Sequence, residues 1–388
     1  MNKKILHVIS SINPNGGGPI EGVKQRYKKL LQLGYITEVV CCDEPSSVWL
    51  SDCPFKVYAL GPSRTKYAYT SKLLPWLQIN AHQYDAVIIN GIWQYTSYAV
   101  WKVLAGNKKI PYFVFTHGML DPWFKNTYPL KHLKKWLYWP WADYRVLRDA
   151  AAVIFTCEEE RLLARKSFWL YKCHEEVMTY GTASPPSNAV ELSEKFFSNY
   201  PELMGKRLFL FLSRIHEKKG CDILIGAFAQ IAHTDQDLHL VIAGPDQTGI
   251  VASLKQQAIT LGIANRITWL GMLQRDDKWS AYYAAEAFCL PSHQENFGIV
   301  VAEALGCSKP VLISNKVNIW REIEADGAGI VQPDTLQGTV ESLRKWLALS
   351  PSDRYAMSEA AQHCFDTRFQ IDLVADSLIN ILHKNIAM

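Results

Sequence analysis

Short apolar runs alternate with longer helical patterns along most of the chain. The runs are apolar at consecutive positions, which is typical of strands in a parallel sheet that is covered on both faces. After Asp334 the pattern is helical as far as residue 388. The predicted strands are 4–9, 37–42, 55–60, 85–90, 112–117, 151–157, 176–181, 208–213, 238–244, 267–271, 287–292, 310–315 and 329–333.

A stretch rich in Ser, Pro and Asn, residues 183–206, separates two halves with the same rhythm and is predicted to be a linker. We therefore expect an α/β protein of two doubly wound, Rossmann-like parallel-sheet domains, 1–182 and 207–367, facing each other across a cleft. A helix of about 368–388 is expected to pack back on the first domain. Ligands of such sheets bind at the carboxyl ends of the strands, so the loops that follow strands are the places to search.

Composition narrows the class of protein. The 388 residues are 48% hydrophobic and carry a net charge of +4, which is globular and too weakly basic for a dedicated nucleic-acid binder. The nine cysteines form no Cys-x-x-Cys pair, which indicates a reducing compartment and no zinc site. No apolar stretch is long enough to span a bilayer. The predicted location is the cytoplasm, with peripheral attachment to the inner face of the membrane left open.

The strongest chemical signal is PSHQENFGIVVAEALGCSKPV, residues 291–311. A strand ends at Pro291, a polar loop carries Glu295, and a helix is predicted to begin near Gly298. Glycine allows close approach of the backbone to a ligand, and the amides of a helix start attract phosphate. Glu303 lies inside an apolar run, where an unpaired carboxylate would be costly. Both glutamates could instead be ordinary surface charges.

A second signal, LSRIHEKKG, follows the first strand of the second half. Arg214 and Lys219 are five residues apart in this strand-to-helix loop, so they could hold a diphosphate from two sides. Arginine offers a bidentate fork and lysine a point charge. A basic loop on its own is weak evidence, because most charged runs are merely solvated.

Residues 291–311 resemble the signature of glycosyltransferase family 4, a retaining family of GT-B fold, in which a Glu-x7-Glu pair precedes Gly-x-Pro-Val. The resemblance implies that Glu295 binds hydroxyls of the donor sugar and that Glu303 binds the ribose. It implies backbone contacts to sugar and diphosphate from Asn296, Phe297 and Gly298. One departure is visible, because the chain has Ser308 where the family has glycine, with a glycine at Gly306 instead.

The same resemblance assigns roles to other loops. Arg214 and Lys219 match the family's pyrophosphate clamp, and His117 in FTHGMLDPW matches a His-Gly that lines the catalytic cleft. The first domain's glycine-rich loop, here Gly17 and Gly18, would close over the donor phosphates. Further donor contacts at strand ends, near the base, are expected from Gly244, Gly271 and Met272. The family's Asn-Gly-Ile-Asp appears here as Tyr180-Gly181-Thr182-Ala183, a departure without an assigned consequence.

Asp235-Gln236-Asp237 is a literal Asp-x-Asp, the metal-binding hallmark of a different glycosyltransferase architecture. It lies between a predicted helix and a predicted strand, at the edge of the sheet opposite to the clamp, where a solvated turn is expected. If Arg214 and Lys219 neutralise the diphosphate, no metal and no other cofactor is required.

Residues 123–148 carry four tryptophans, three tyrosines and six Lys or Arg against one Asp. Trp and Tyr favour the membrane interface, and Lys and Arg favour anionic headgroups. The segment either binds an anionic membrane surface or packs its aromatic side chains into the core of the first domain.

The sequence as a whole predicts a retaining, metal-independent glycosyltransferase. Its expected partners are a nucleotide-sugar donor, UDP- or GDP-linked, and a glycan or lipid-linked acceptor of cell-surface polysaccharide or glycolipid synthesis. The alternative is a nucleotide-sugar-binding regulatory or scaffold protein with a degenerate site. A Rossmann dehydrogenase is disfavoured because the Gly-x-Gly-x-x-Gly fingerprint is missing.

Overall fold

The structure, a computed structural model, describes residues 3–14, 18–107 and 109–386. The chain divides into two compact units. The first unit comprises Met1–Gly181 together with Ile371–Met388, and the second comprises Thr182–Gln370.

The first unit is built on a parallel sheet of seven strands in the order β3-β2-β1-β4-β5-β6-β7. Its strands are β1 Lys3–Ile9, β2 Tyr35–Cys41, β3 Lys56–Ala59, β4 Ala86–Asn90, β5 Tyr112–Phe115, β6 Ala152–Phe155 and β7 Glu175–Val177. Its helices are α1 Gly18–Gln32, α2 Leu73–Asn80, α3 Tyr95–Leu104, α4 Trp123–Thr127, α5 Pro129–Tyr138, α6 Asp143–Arg148, α7 Glu158–Ala164 and α16 Ile371–Ile386.

The two faces of this sheet pack into separate hydrophobic clusters, because successive side chains of a strand point to opposite faces. Leu6 belongs to one cluster and its neighbour Ile5 to the other. The cluster that contains Ile5 also contains Leu378 and Leu382 of α16, both fully buried. The last helix of the chain is therefore part of the core of the first unit.

The second unit repeats the pattern with six parallel strands in the order β10-β9-β8-β11-β12-β13. Its strands are β8 Arg207–Leu212, β9 Leu238–Ala243, β10 Ile267–Gly271, β11 Ala287–Leu290, β12 Val311–Ser314 and β13 Gly329–Gln332. Its helices are α8 Ala189–Asn199, α9 Cys221–Ile231, α10 Val251–Thr260, α11 Arg275–Ala284, α12 Ile299–Gly306, α13 Trp320–Ala325, α14 Leu336–Ala348 and α15 Pro351–Cys364.

Both sheets have the doubly wound strand order, which confirms the predicted fold class of two Rossmann-like parallel-sheet domains. The segment 183–206, which is predicted to be a linker, has secondary structure of its own. It contains α8, whose Leu192 and Phe196 are buried, and Lys195 of this helix pairs with Asp277 of α11 at 2.9 Å. An apolar pair four residues apart lies on one face of a helix and buries that face in the second unit.

The strand order of the second unit reverses between β8 and β11, and the loops that follow these two strands meet there. Gly220 has a left-handed backbone, with φ of +67°, and ends the loop after β8. A Cβ at this position would lie 2.3 Å from the carbonyl oxygen of Pro291, in the loop after β11. The backbone amide of His293 also donates to the carbonyl of Lys218 at 2.8 Å. Backbone contact between the loops therefore requires a glycine.

We expect Gly220→Ala to lower the free energy of unfolding of the second unit by about 2–5 kcal/mol. The left-handed backbone costs alanine roughly 1–2 kcal/mol, and the clash with Pro291 adds about 1–3 kcal/mol as overpacking does in a core. Urea unfolding followed by circular dichroism measures the change.

Gly262→Ala is the matched control, since Gly262 has φ of +70° and open space where its Cβ would stand. It should show the backbone cost alone. Equal losses of stability in the two variants would contradict the steric contact between the loops.

Candidate functional site

The candidate residues of the second unit lie in loops at the carboxyl edge of its sheet, around the point where the strand order reverses. In doubly wound sheets this is the place where ligands bind. Lys219 comes from the loop after β8, and Glu295 and Gly298 come from the loop after β11.

Lys219 and Glu295 form an ion pair between Nζ and Oε2. Lys219 is only 6% exposed, so its ammonium has lost most of its water and depends on the carboxylate. Lys219 ends a single 3-10 turn, Glu217–Lys219, in which the His216 side chain accepts a hydrogen bond from the Lys218 amide at 3.1 Å. The turn and Gly220 together direct the lysine toward the loop after β11.

The Glu295 carboxylate is held in place by the backbone around it. The Glu295 amide donates to the carbonyl of Lys316 at 2.9 Å, and the Asn318 amide donates to the carbonyl of Glu295 at 3.0 Å. These bonds tie the loop after β11 to the loop after β12. Glu295 is thus a rigid acceptor placed 76 residues away in sequence from its lysine.

The stretch from Asn296 to Gly298 leads into α12. Gly298 has φ of +77° and precedes the first residue of the helix, and a Cβ there would lie 3.1 Å from Cγ of Glu295. Phe297 is buried and packs edge-on against Phe369 at 5.6 Å, so its side chain anchors the loop in the unit's core. Asn296 is partly exposed beside them.

Glu303 is buried on α12 and is already neutralised within the protein. Lys278 Nζ lies 2.6 Å from Oε1, and the hydroxyl of Tyr282 donates to Oε2 at 3.1 Å. Burial and the Glu303 carboxylate raise the pKa of the Tyr282 phenol well above its usual value. Sequence reasoning missed Lys278 and Tyr282, although their spacing of four residues places both on one face of α11.

Arg214 is exposed, and among the described residues it forms no ion pair. Its neighbour Ser213 is in close contact with Gly244, where a Cβ would stand 1.7 Å from the Ser213 carbonyl oxygen. The Gly244 amide donates to the carbonyl of Gly271 at 2.7 Å. Gly271 and Met272 are exposed at the end of β10, next to these loops. The edge therefore offers one unpaired guanidinium and several backbone groups.

Ser308, which stands where the family has glycine, adopts a left-handed backbone conformation of the kind that glycine favours. Ser308 is left-handed, with φ of +57°, and its hydroxyl donates to Oε1 of Gln362 at 3.0 Å. Gly306 has its own steric reason, since a Cβ there would lie 3.0 Å from the ring of Pro185 and 3.1 Å from that of Phe365.

In the first unit, His117 follows β5 in a left-handed conformation with φ of +47°. Its loop is held by the buried Glu160 carboxylate, which accepts hydrogen bonds from the Thr116 hydroxyl and the Gly118 amide, both at 2.6 Å. The Thr156 amide donates to the same carboxylate at 2.7 Å. His117 Nε2 lies 3.4 Å from Oδ1 of Asn90, at the end of β4.

A buried guanidinium, which sequence reasoning missed, lies behind His117. Arg26 of α1 is 1% exposed, and among the described residues none of its three guanidinium nitrogens has a hydrogen-bond partner. It lies over the rings of Phe115 and Tyr180, at 5.5 and 5.3 Å. Burial and this cation lower the pKa of both His7 and His117 far below the usual value of a histidine, so both imidazoles are neutral. Its spacing from Val23 and Leu30 places Arg26 on the buried face of α1, and this helical periodicity is the signal that could have found it.

Tyr180 gives the departure at 180–183 a structural role. Its hydroxyl donates to the carbonyl of Gly18, at the start of α1, at 2.7 Å. A Cβ at Gly22 would lie 1.6 Å from the Tyr180 hydroxyl oxygen, so the ring packs directly on the backbone of α1. The tyrosine therefore holds the first turn of α1. Gly17 lies outside the described residues.

Both aspartates of the Asp-x-Asp sequence form ion pairs within the protein. Asp235 pairs with Arg207 at 2.8 Å, and Asp237 pairs with Lys206 at 2.9 Å. Within the described parts of the chain, no three His, Cys, Asp or Glu side chains cluster as metal ligands would. A metal-independent reaction remains a prediction.

Residues 123–148 divide between core and surface. Trp139 is fully buried and stacks on Phe168 at 4.4 Å, as the core alternative expects. In contrast, α5 buries no side chain. Leu130, Leu133 and Leu137 are 78%, 54% and 61% exposed. No helix in the described residues has the length and apolar character that crossing a bilayer requires.

Comparison with known proteins agrees with this architecture. Residues 193–363 match the model of glycosyl transferases group 1, and residues 17–171 match that of the glycosyl transferase 4-like domain. The D-inositol 3-phosphate glycosyltransferase of Saccharomonospora viridis is 30% identical over 186 residues, which are 46% of this chain and 42% of that protein. The alpha-D-kanosaminyltransferase of Streptomyces kanamyceticus is 25% identical over 256 residues, 63% of either chain. The chain thus spans less than two thirds of these relatives.

Among solved structures, Anabaena Alr3699/HepE in complex with UDP aligns with a TM-score of 0.80 at 19% identity, covering 98% of this chain and 100% of that one. This likeness establishes the fold. The two family models fall one on each unit, each of which carries its own doubly wound sheet. The chain belongs to the glycosyltransferases of GT-B fold, with a 4-like first domain and a group 1 second domain.

Proposed function

We propose that this protein is a retaining, metal-independent glycosyltransferase that moves a sugar from a nucleotide-diphosphate donor to a glycan or lipid-linked acceptor. The observation that carries the proposal is the buried Lys219–Glu295 ion pair at the point where the second sheet reverses its strand order, next to the exposed Arg214. Two cations and one carboxylate therefore come from the loops at one edge of the sheet, which supports a role in binding a diphosphate and a sugar hydroxyl.

The donor diphosphate binds between Arg214 and Lys219. Arg214 is open to an incoming phosphate, whereas Lys219 is held by Glu295 before the donor arrives. A diphosphate provides Lys219 with a stronger anionic partner, and this releases the Glu295 carboxylate to accept hydrogen bonds from sugar hydroxyls. The ion pair is thus the resting state of two donor-binding groups.

Glu303 binds the ribose through oxygens that Lys278 and Tyr282 leave with free lone pairs. Each carboxylate oxygen accepts more than one hydrogen bond. Lys278 keeps the carboxylate charged and oriented inside the protein, at 2.6 Å. Backbone groups near the base come from Gly244, Gly271 and Met272. Because these contacts do not depend on side-chain identity, they do not indicate whether the donor is UDP- or GDP-linked. The Anabaena structure was determined with UDP, which favours a uridine donor as the first one to test.

In the transfer step, the bond between the anomeric carbon and the β-phosphate oxygen breaks, and its electron pair leaves with the nucleoside diphosphate. The acceptor hydroxyl oxygen attacks the anomeric carbon from the same face, and its proton passes to the departing phosphate oxygen. Arg214 and Lys219 stabilise the charge that develops on the diphosphate, as fixed donors do for an oxyanion. His117, neutral at physiological pH, contributes a hydrogen bond and no charge.

The protein binds a membrane surface through α5 and the turn that follows it, and it reaches its lipid-linked acceptor there. Four exposed side chains form one face, which we call the apolar stripe: Leu130, Leu133, Leu137 and Trp141. Lys131 and Lys134 flank it, and both are exposed. An exposed apolar face with lysines at its borders is the pattern of helices that lie in the membrane interface. We place the protein in the cytoplasm, on the inner face of the membrane.

Replacing Arg214 with alanine should lower kcat/KM for transfer by about 100- to 1000-fold, since removal of one charge-stabilising donor costs about 2.7–4 kcal/mol. The melting temperature should not change, because the side chain is exposed. Release of nucleoside diphosphate from a panel of UDP-, GDP- and ADP-sugars measures the rate.

Arg344→Ala removes an equally exposed arginine from α14 of the same unit and should leave the rate unchanged. An Arg214→Ala variant that retained more than about a tenth of the wild-type kcat/KM would refute the diphosphate clamp. A wild-type protein that binds these donors but releases no nucleoside diphosphate would instead be the regulatory alternative.

Transfer should continue at its full rate in EDTA, because Arg214 and Lys219 supply the positive charge that a divalent ion would otherwise supply. The measurement is nucleoside diphosphate release before and after chelation, with added magnesium as the comparison. A large loss that magnesium restores would establish a metal-dependent mechanism.

Replacing Leu130, Leu137 and Trp141 with glutamine should abolish co-sedimentation with phosphatidylglycerol vesicles. The apolar stripe then has nothing to insert, while hydrolysis of the donor, which does not require the stripe, should persist. Salt should release the wild-type protein, because screening shortens the reach of the flanking lysines.

As a control, Lys28, Lys102 and Lys255 are exposed lysines outside 123–148. Their replacement with glutamate should preserve most of the binding, although it removes more positive charge than the stripe variant does. Wild-type protein that stays in the supernatant at low salt would rule out the membrane surface.

A further inference from the structure

Two buried side chains of the first unit carry hydrogen-bond donors without acceptors, and the proposed transfer reaction uses neither of them. They are the guanidinium of Arg26 in α1 and the imidazole of His7 in β1, and each residue is 1% exposed. Among the described residues, no group pairs with the three guanidinium nitrogens or with His7 Nε2. Buried donors in folded proteins are almost always paired. We call these two residues the Arg26–His7 cluster.

The packing of α1 on β1 places the two side chains side by side. Leu30 of α1 and Ile5 of β1 belong to the same hydrophobic cluster. Arg26 lies one helical turn before Leu30, which is about 5 Å. His7 lies two residues after Ile5 on the same face of the strand, which is about 7 Å. Since α1 connects two parallel strands and runs antiparallel to them, both steps lead toward the carboxyl edge of the sheet.

Asn90 determines which nitrogen of His7 carries the proton. Asn90 Nδ2 lies 3.1 Å from Nδ1 of His7 and 3.3 Å from the carbonyl oxygen of Ile88, so this nitrogen is the amide donor. His7 Nδ1 therefore accepts a hydrogen bond, and the proton of the neutral imidazole is on Nε2. The unpartnered nitrogen of His7 is thus a donor, like those of Arg26.

Arg26 remains a cation in this environment, because arginine does not lose its proton in proteins. Burial lowers the pKa of its guanidinium, as loss of hydration does for any cation. Among the described residues, no carboxylate accepts a hydrogen bond from it. The rings of Phe115 and Tyr180 offset the lost hydration only in part. A buried charge requires a counter-ion, which the neighbouring side chains do not supply.

The chemistry of the cluster selects a small anion. A water molecule needs acceptors for its own two hydrogens, and the unpartnered groups of the cluster offer none. An anion accepts from several donors at once and also cancels the charge of the guanidinium. Because both side chains are almost completely buried, a nucleotide or a sugar is excluded, and an ion of a single atom is favoured.

We infer that the Arg26–His7 cluster binds a chloride ion, which accepts hydrogen bonds from the guanidinium and from His7 Nε2. The site belongs to the first unit alone and does not rest on the proposed function. Tyr180 connects it to the start of α1, since its ring lies 5.3 Å from the guanidinium and its hydroxyl donates to the carbonyl of Gly18. Chloride therefore stabilises the folded first unit.

The test is thermal unfolding of the full-length protein, followed by circular dichroism, in sodium chloride and in sodium gluconate at equal ionic strength. Gluconate is too large to enter the buried cluster. Raising chloride from about 1 to about 100 mM should raise the melting temperature by about 3 °C or more, because an ion that binds only the folded state stabilises it. Equal melting temperatures in the two salts would overturn the chloride site.

Arg26→Met keeps an aliphatic stem and removes the charge, so its melting temperature should be the same in both salts. Lys28→Met is the matched control, because it removes one charge from an exposed position of the same helix and should keep the wild-type response to chloride. A response that persists in Arg26→Met would show a general salt effect and overturn the site.

His7→Leu is the second variant, in case Arg26→Met does not fold. It removes one donor and should weaken chloride binding by about threefold or more, as loss of one hydrogen bond does. An unchanged response to chloride would contradict the role of His7 Nε2.

Bromide locates the ion directly, because it replaces chloride and scatters X-rays anomalously. Crystals of the wild-type protein grown in sodium bromide should show an anomalous peak between the Arg26 guanidinium and His7 Nε2. Crystals of Arg26→Met should show no peak there. A water molecule at this position in the wild-type protein, or the absence of a peak, would overturn the inference.

Discussion

The contact of Gly220 with the carbonyl of Pro291 is the constraint on which the candidate site of the second unit depends. A side chain at this position would separate the loops after β8 and β11, because its Cβ would stand 2.3 Å from that oxygen. With glycine, the loops are in backbone contact, and the Lys219 ammonium reaches the Glu295 carboxylate. The ion pair in turn makes the burial of the Lys219 ammonium tolerable, since a lone buried ammonium would lose several kcal/mol of hydration.

The other buried charges of the molecule obey the same rule in different ways. Glu303 is satisfied by Lys278 and Tyr282, and Glu160 by hydroxyl and amide donors around His117. Arg26 is the exception. Among the described residues no group accepts a hydrogen bond from its guanidinium, which lies over the rings of Phe115 and Tyr180. Its cost is offset in part by the quadrupoles of those rings. Its field keeps the imidazoles near it neutral.

Glu295, Glu303 and Lys219 could be selected as candidates from the sequence because Lys219 and Glu295 lie in loops between a strand and a helix, and Glu303 follows Glu295 by eight residues on the helix. Their partners could not be found in this way. Lys278 and Tyr282 are on a different helix from Glu303, so no local spacing relates them to it. Arg26 does lie at helical spacing from Val23 and Leu30 on the buried face of α1, but that spacing does not show which groups face its guanidinium. The same limit explains α8, where Ser and Pro around the helix masked two apolar positions on one face. Residues 123–148 could not be assigned to the core or to a surface from the sequence, because the segment contains both kinds of position. Trp139 faces inward, and the apolar stripe faces outward.

The placement of α16 has a consequence for how the molecule is made. The chain leaves the first unit at Gly181, completes the whole second unit, and only then supplies the helix that covers the cluster containing Ile5 and Ile88. During synthesis, the part of the first sheet that α16 covers stays exposed until this helix has left the ribosome, while the second unit already has all of its strands. The later-made unit can therefore finish folding first. The first unit, although it is synthesised earlier, keeps an exposed apolar surface until α16 is available. It is therefore the part of the nascent chain that chaperones would bind.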